Sequence, residues 1–418
     1  MKKETLLVLV LAVLFGPCFG RAQANPKTEN FGLSLSGYVK TDLIYDSRQT
    51  VNIREGHFLL FPKGESLDPD GRDINAKSNF NMLSIQTRLV GRITGPQALG
   101  AKTSGLVEAE FFGHSDEDIN GFRLRHAYVK LNWQKTELLV GQFWHAMFIT
   151  DCFPDVISFN TGAPFQPFSR NPQVRLTHRF EKFSLVATAM TQRDFVSSGP
   201  EGASSTYLRN AVLPELNLKC EYVWKNRRNG HELLCGIGVD YLKLVPRLST
   251  NTGYKADESI SNGAGMAYAK YTMPGWTFKC EGIYGQNLYH LTMLGGYAVH
   301  EVMDANRDDV DYTPLKNYSL WGEVHTNGEK FQAGFFAGYS KNLGSKETID
   351  GEIYSRGFTI DSLYRIAPRA LYNSGKLRLA AEIEWTVAAY GAPDNKGVVM
   401  DVKHILNCRL LGAVYYFF

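Results

Sequence analysis

The chain has 418 residues, with 45 Lys and Arg against 42 Asp and Glu and a net charge of +3. That balance points to no nucleic-acid partner. Beyond the N-terminal segment no run of about 18 apolar residues occurs, so no membrane-spanning helix is expected. A mean hydropathy of −0.23 with 44% hydrophobic residues suits a soluble all-β protein or a barrel with a wet interior. The 12% aromatic share leans to the barrel, whose membrane interfaces use Tyr, Trp and Phe.

The N-terminus reads as an export signal. Met1-Lys2-Lys3 is positive, Leu6 to Phe15 is apolar, and Ala22-Gln23-Ala24 is a small-residue cleavage site. Residues 1–24 are therefore expected to be a signal peptide, too short for a membrane anchor. Pro17 before Cys18 fits a lipoprotein site poorly. Residues 25–418 show no shift of composition and read as one domain in a Gram-negative exported protein. With no separate plug, a plugged transporter of about 22 strands is disfavoured.

The next elements alternate with period two. Leu33, Leu35, Val39, Leu43 and Tyr45 form one face of a first strand, and Ser34, Ser36, Lys40, Asp42 and Asp46 the other. A second strand sets Leu83, Ile85, Thr87, Leu89 and Ile93 against Ser84, Gln86, Arg88 and Arg92. Half-polar strands of about ten residues are the signature of transmembrane β-strands. Further candidates near 102–112, 122–133, 136–146, 172–181, 183–192, 215–225, 232–244, 263–273, 276–287, 315–325, 331–341, 357–373, 377–390 and 401–418 bring the total to about sixteen. The expected fold is all-β, a transmembrane antiparallel β-barrel of about 16 strands.

Connections give the barrel a direction. Glu181-Lys182, Pro274-Gly275, Thr326-Asn327-Gly328-Glu329 and Asn373-Ser374-Gly375-Lys376 are tight turns after even-numbered strands. Segments 47–77, 147–171, 193–214, 245–262, 288–314 and 342–356 are long and follow odd-numbered ones. Short periplasmic turns and long extracellular loops are the outer-membrane pattern. The closing segment 406–418 puts Leu406, Cys408, Leu410, Val414, Tyr416 and Phe418 on one face. Pairing it with the first strand would remove an aggregation-prone edge. Its terminal Phe418 resembles the closing strand that the barrel-assembly machinery reads in outer-membrane proteins.

A barrel of this size encloses water, so its chemistry lies on the inward face. The channel-lining candidates are Arg88, Glu108, Glu110, Arg123, Arg125, His126, Lys130 and Arg175, with Arg365, Arg369 and Arg378 across the barrel. Arg123 and Arg125 share parity with Ala127, Val129, Leu131 and Trp133, which should face lipid. Either a β-bulge changes the register between them, or the arginines lie above the hydrocarbon or in a subunit interface. The segment after strand five, 147–171, is proline-rich and apolar for an exposed loop. Its Phe148, Asp151, Phe153, Asp155, Phe165, Phe168 and Arg170 are constriction candidates, and its position resembles that of the inward-folding third loop of general porins.

The run Phe122-Arg123-Leu124-Arg125-His126-Ala127-Tyr128-Val129-Lys130-Leu131, followed by Leu138-Leu139-Val140-Gly141-Gln142-Phe143-Trp144, is similar to the R-x-R-x-A-Y and L-x-V-G-Q-x-W strands of DcaP-like porins and the related phosphate-selective porins. The resemblance covers about 25 residues sharply. It implies a homotrimeric sixteen-stranded channel with an arginine-lined constriction favouring anionic solutes, and it implies that Arg123 and Arg125 shape the upper channel. No row of closely spaced lysines of the phosphate-ladder kind is present.

Other classes find less support. No G-x-S-x-G or H-E-x-x-H occurs, so no catalytic residue is expected. Cys152, Cys220, Cys235, Cys280 and Cys408 have no metal-ligand spacing; a Cys220–Cys235 bridge and small wall residues are both open readings. No cofactor or metal is expected. Asp304, Asp308, Asp309 and Asp311 read as a solvated acidic loop. The expectation is an outer-membrane porin for small hydrophilic solutes, with a mild preference for anions such as carboxylates and with membrane lipid and its own copies as partners. The alternative is a surface adhesin using the long loops.

Overall fold

Alternation along each strand becomes a closed sheet. The computed structural model describes residues 31–418; the expected signal peptide lies outside the described residues. Sixteen strands form the barrel: β1 (Gly32–Asp46), β2 (Asn79–Leu83 continued by Arg88–Ala98), β3 (Ala101–Glu110), β4 (Arg123–Asn132), β5 (Thr136–Trp144), β6 (Arg170–Phe180), β7 (Phe183–Met190), β8 (Glu215–Asn226), β9 (His231–Leu244), β10 (Ile260–Thr272), β11 (Trp276–Gln286), β12 (Lys316–Thr326), β13 (Phe331–Gly344), β14 (Ile360–Ser374), β15 (Leu377–Pro393) and β16 (Val399–Phe417). Sequence neighbours pair antiparallel, and β16 returns to β1 in register from Tyr38↔Phe417 to Asp46↔Arg409. Two backbone bonds, Gly37 N–H to Phe418 O at 3.2 Å and Phe418 N–H to Gly37 O at 3.1 Å, seal the seam.

The outer surface is apolar, as lipid requires. Leu33, Leu35, Val39, Leu43 and Tyr45 of β1 are exposed, whereas Lys40, Asp42 and Asp46 are buried inside. Phe180, Phe183, Trp276, Phe331, Tyr372, Tyr416 and Phe418 are exposed where strands meet the short turns, the place of an interfacial aromatic girdle. The turns at 99–100, 181–182 and 375–376 have two residues each, and both ends of the described chain lie on their side. Long connections occupy the opposite side, except 394–398, which is short.

Two local irregularities correct the simple alternation. In β2 the chain turns at 84–87, with Thr87 N–H donating to Ser84 O. Leu83 and Ile85 are therefore buried inside, while Leu89 and Ile93 face outward; they do not share one face. In β4 the register shifts between Glu108↔His126 and Ala109↔Leu124, so Arg125 is an extra, bulged residue. The bulge sends Arg123 and Arg125 inward and leaves Val129 outside, which resolves their parity conflict without an interface. Cys220 and Cys235 are free thiols; Cys220 stands opposite Ile237 and Cys235 opposite Tyr222, so they are not cross-strand partners.

The apolar core lies inside the barrel and is built by loops. A hairpin of Thr50–Ile53 and Phe58–Pro62 and the segment 145–169 fold inward together. Phe112 stacks on Phe159 with ring centroids 4.2 Å apart, Trp144 stacks on Phe148 at 3.8 Å, and Phe58 meets Phe168 edge-on at 4.9 Å. Each such ring, fully removed from water, contributes about 1.5–3 kcal/mol, which suffices to hold a loop in an otherwise aqueous interior. At the long-loop end, Gly295–Asp304, Asp309–Pro314 and Ile353–Arg356 form a small three-stranded sheet.

Candidate functional site

The segment leaving β5 crosses the barrel and is held by strands on the far side. Lys40 on β1 donates to Ile157 O at 3.0 Å. Glu382 on β15 accepts from Ile157 N–H at 2.8 Å and Ser158 N–H at 3.0 Å. Glu323 on β12 accepts from Asp155 N–H at 2.9 Å, and Lys279 on β11 donates to Asp155 Oδ2 at 2.6 Å. Arg365 on β14 donates to Ala163 O at 2.8 Å and, through its other nitrogen, to Leu60 O at 2.8 Å. Carboxylates thus take backbone N–H groups and cations take carbonyls, so the crossing segment needs few polar side chains of its own.

The inward hairpin is fixed in the same way. His57 Nε2 is 2.9 Å from Asp42 Oδ2, and Arg409 on β16 joins Asp46 at 2.6 Å to Gly56 O at 2.7 Å. Segment 47–77 is thus not wholly an external loop: its hairpin Thr50–Ile53 and Phe58–Pro62 packs inside the barrel. Its inward turn is signalled by Phe58-Leu59-Leu60-Phe61, an apolar run with no use outside, and by Lys40, Asp42 and Asp46 on the inward face of β1.

A network of arginines surrounds Glu110 on β3. Arg125 lies 2.6 Å from Glu110 and 2.6 Å from Glu108; Arg123 reaches Glu110 at 2.8 Å, Arg88 at 3.2 Å and Arg170 at 3.7 Å. Asp194, in the loop after β7, closes the group by pairing with Arg170 at 2.7 Å and Arg123 at 3.1 Å. Burial alone would raise the Asp194 carboxyl; Arg170 and Arg123 outweigh it and hold the group below its ordinary value.

Between this network and the far wall lies a cavity of about 510 Å³, bounded on one side by the crossing segment. Arg88, Glu108, Arg125, His126, Phe148, Phe153, Asp155, Phe168, Arg369 and Arg378 line it. Four arginines face two carboxylates there, so the lining is net positive. Arg369 pairs with Glu323, whereas Arg378 donates to Asn373 Oδ1 at 2.8 Å and lies over the Tyr415 and Phe417 rings, with no carboxylate partner among the described residues.

The remaining candidates lie elsewhere. Glu110, Arg123 and Arg170 sit behind the cavity in the ion-pair network, and Arg365 is beneath the two inward segments, 1% exposed. Phe165 is packed against Phe336 and the Arg365 guanidinium. Lys130 pairs with Glu137 at 3.1 Å, and Arg175 donates to Trp144 O at 2.7 Å. Asp151 borders two smaller cavities near Lys270. Lys40, Lys279, Glu323 and Glu382 also belong to the site; their inward parity is legible in the sequence, but their partners include backbone groups of a distant segment, and Glu384 pairs with Arg365 beneath it.

A closed, sixteen-stranded barrel with an apolar exterior, short turns at one end, long loops at the other and a segment folded into its lumen defines a bacterial outer-membrane β-barrel of the porin fold. The outer-membrane channel DcaP of Acinetobacter baumannii superposes with a TM-score of 0.67 at 17% identity over 94% of this chain and 99% of that one. An anion-selective porin of Comamonas acidovorans gives 0.54 at 11% identity over 93% and 100%. OmpT, expressed in the outer membrane of Vibrio cholerae, gives 0.53 at 11% identity over 94% and 99%. No family model and no curated sequence matches the chain.

Proposed function

We propose that the protein is an outer-membrane porin through which small hydrophilic solutes diffuse, with the segment 147–171 as its constriction and a preference for anions such as carboxylates. The observation that carries this reading is the cavity beside the crossing segment, where Arg88, Arg125, Arg369 and Arg378 face Glu108 and Asp155. A net positive lining lowers the barrier for anions and raises it for cations. Arg378 contributes most directly, because no carboxylate neutralises it among the described residues. The anion-selective porin of Comamonas acidovorans has the same fold, which is compatible with this preference. Assembly as a homotrimer is part of the proposal; OmpT of Vibrio cholerae, of the same fold, has a trimer form.

Liposome swelling tests the reading. Vesicles carrying the protein should swell in small uncharged sugars and faster in sugar acids of equal size than in amino sugars. Equal rates for acid and amino sugars contradict the anion preference, and no swelling with folded protein contradicts the porin reading.

A further inference from the structure

A second constellation at the base of the crossing segment takes no part in the channel proposal. His145 directly follows β5, Glu215 is the first residue of β8, and His290 lies in the 3-10 turn Tyr289–Leu291 after β11. Their ligand atoms converge: Glu215 Oε1 is 2.9 Å from His145 Nε2 and 2.8 Å from His290 Nε2. None is more than 2% exposed.

The charge balance of this group differs from that of most buried carboxylates. Asp42, Asp46, Glu110, Glu323 and Glu384 have a Lys or Arg partner; Glu382 takes backbone N–H groups instead, and Glu281 has no ion-pair partner among the described residues. Glu215 has ion-pair contacts with the two histidines only, among the described residues, and Asp240 on β9 brings a second carboxyl beside it. Glu215 Oε2 and His290 Nδ1 are buried without a hydrogen-bond partner. Two buried carboxyls with no Lys or Arg partner are costly unless protons or a cation compensate them.

We propose that His145, Glu215 and His290 bind a divalent transition-metal ion of the Zn²⁺ class, which ties the base of the crossing segment to β8 and to the loop after β11. Two imidazole nitrogens and a carboxylate oxygen are a zinc donor set, whereas Ca²⁺ and Mg²⁺ call for oxygen ligands. Tetrahedral ligands at about 2.0–2.1 Å stand roughly 3.3 Å apart, so the present spacings need to open by about 0.5 Å. Binding replaces the imidazole protons now shared with Glu215. It also requires His145 Nδ1 to give up the Met147 N–H, 3.2 Å away. Asp240 or a water would complete the coordination.

The test uses the tag-free mature chain, stripped of metal in denaturant and refolded in detergent with or without Zn²⁺, because the site is closed in the folded barrel. Mass spectrometry after gel filtration should find about one zinc per chain, and Co²⁺ should give visible ligand-field bands of a low-coordinate site. Glu215→Gln and His290→Gln, with folding checked by heat-modifiable gel mobility, should each lower retained zinc at least about tenfold. A folded wild-type barrel that retains no zinc, or folded variants that retain as much as wild type, would overturn the proposal. Should both variants fail to fold, the absence of cobalt bands in the wild type overturns it alone.

Discussion

Glu110 illustrates how single residues set the interior. Fully buried, it is tolerable because Arg88, Arg123, Arg125 and Arg170 surround it, and they in turn need it. Arg125→Ala would take the nearest cation from both Glu108 and Glu110 and leave them to Arg88, Arg123 and Arg170, so the loss should fall below the roughly 3–5 kcal/mol of a buried charge left wholly unpaired. The expected outcome is a lower temperature for loss of the folded gel mobility. Arg378→Gln should leave that temperature near wild type, since no carboxylate is orphaned, while moving the reversal potential toward cations. Asp194 adds a pH dependence. Its folded-state value is depressed, so its stabilisation is present above the ordinary carboxyl value of 3.8 and is lost as pH falls below it. Thermal unfolding should therefore show no loss from this group between about pH 5 and 8 and a loss below about pH 4, which Asp194→Asn should diminish.

Elements show where local sequence is enough and where it is not. Period two in β1 and β16 places lipid-facing and inward residues correctly, because each face of those strands has a uniform environment. It misleads in β2, where the turn at 84–87 moves Leu83 and Ile85 inside, and is ambiguous in β4, where the extra residue Arg125 shows only in the pairing with β3. For the inward hairpin 50–62 the apolar run Phe58-Leu59-Leu60-Phe61 signals burial, but its partners Asp42, Arg365 and Arg409 come from both ends of the chain, so no local pattern joins them. For the crossing segment, the need to bury Phe148, Phe153, Phe165 and Phe168 is readable, but the carboxylates that receive it are not, and Phe159 escapes notice. Glu382→Gln leaves one oxygen for two N–H groups and turns an amide donor toward them, a change of about 1–3 kcal/mol in the tether. Single-channel recordings should show a noisier, higher conductance. Phe58→Ala, which removes about 3–5 kcal/mol of packing, should act in the same direction through the hairpin.

At the scale of the whole molecule, closure through β1 and β16 removes every barrel edge among the described residues and orients the chain, with Phe418 among the girdle aromatics on the turn side. Sixteen strands give an interior too wide for wall side chains to fill. Two loops fill part of it and leave a cavity whose lining is net positive. Current through planar bilayers tests this most directly. Across a tenfold KCl gradient the wild-type protein should conduct and give a reversal potential of the sign for chloride preference. Folded protein that inserts without conducting, or that shows clear cation preference, would contradict the account.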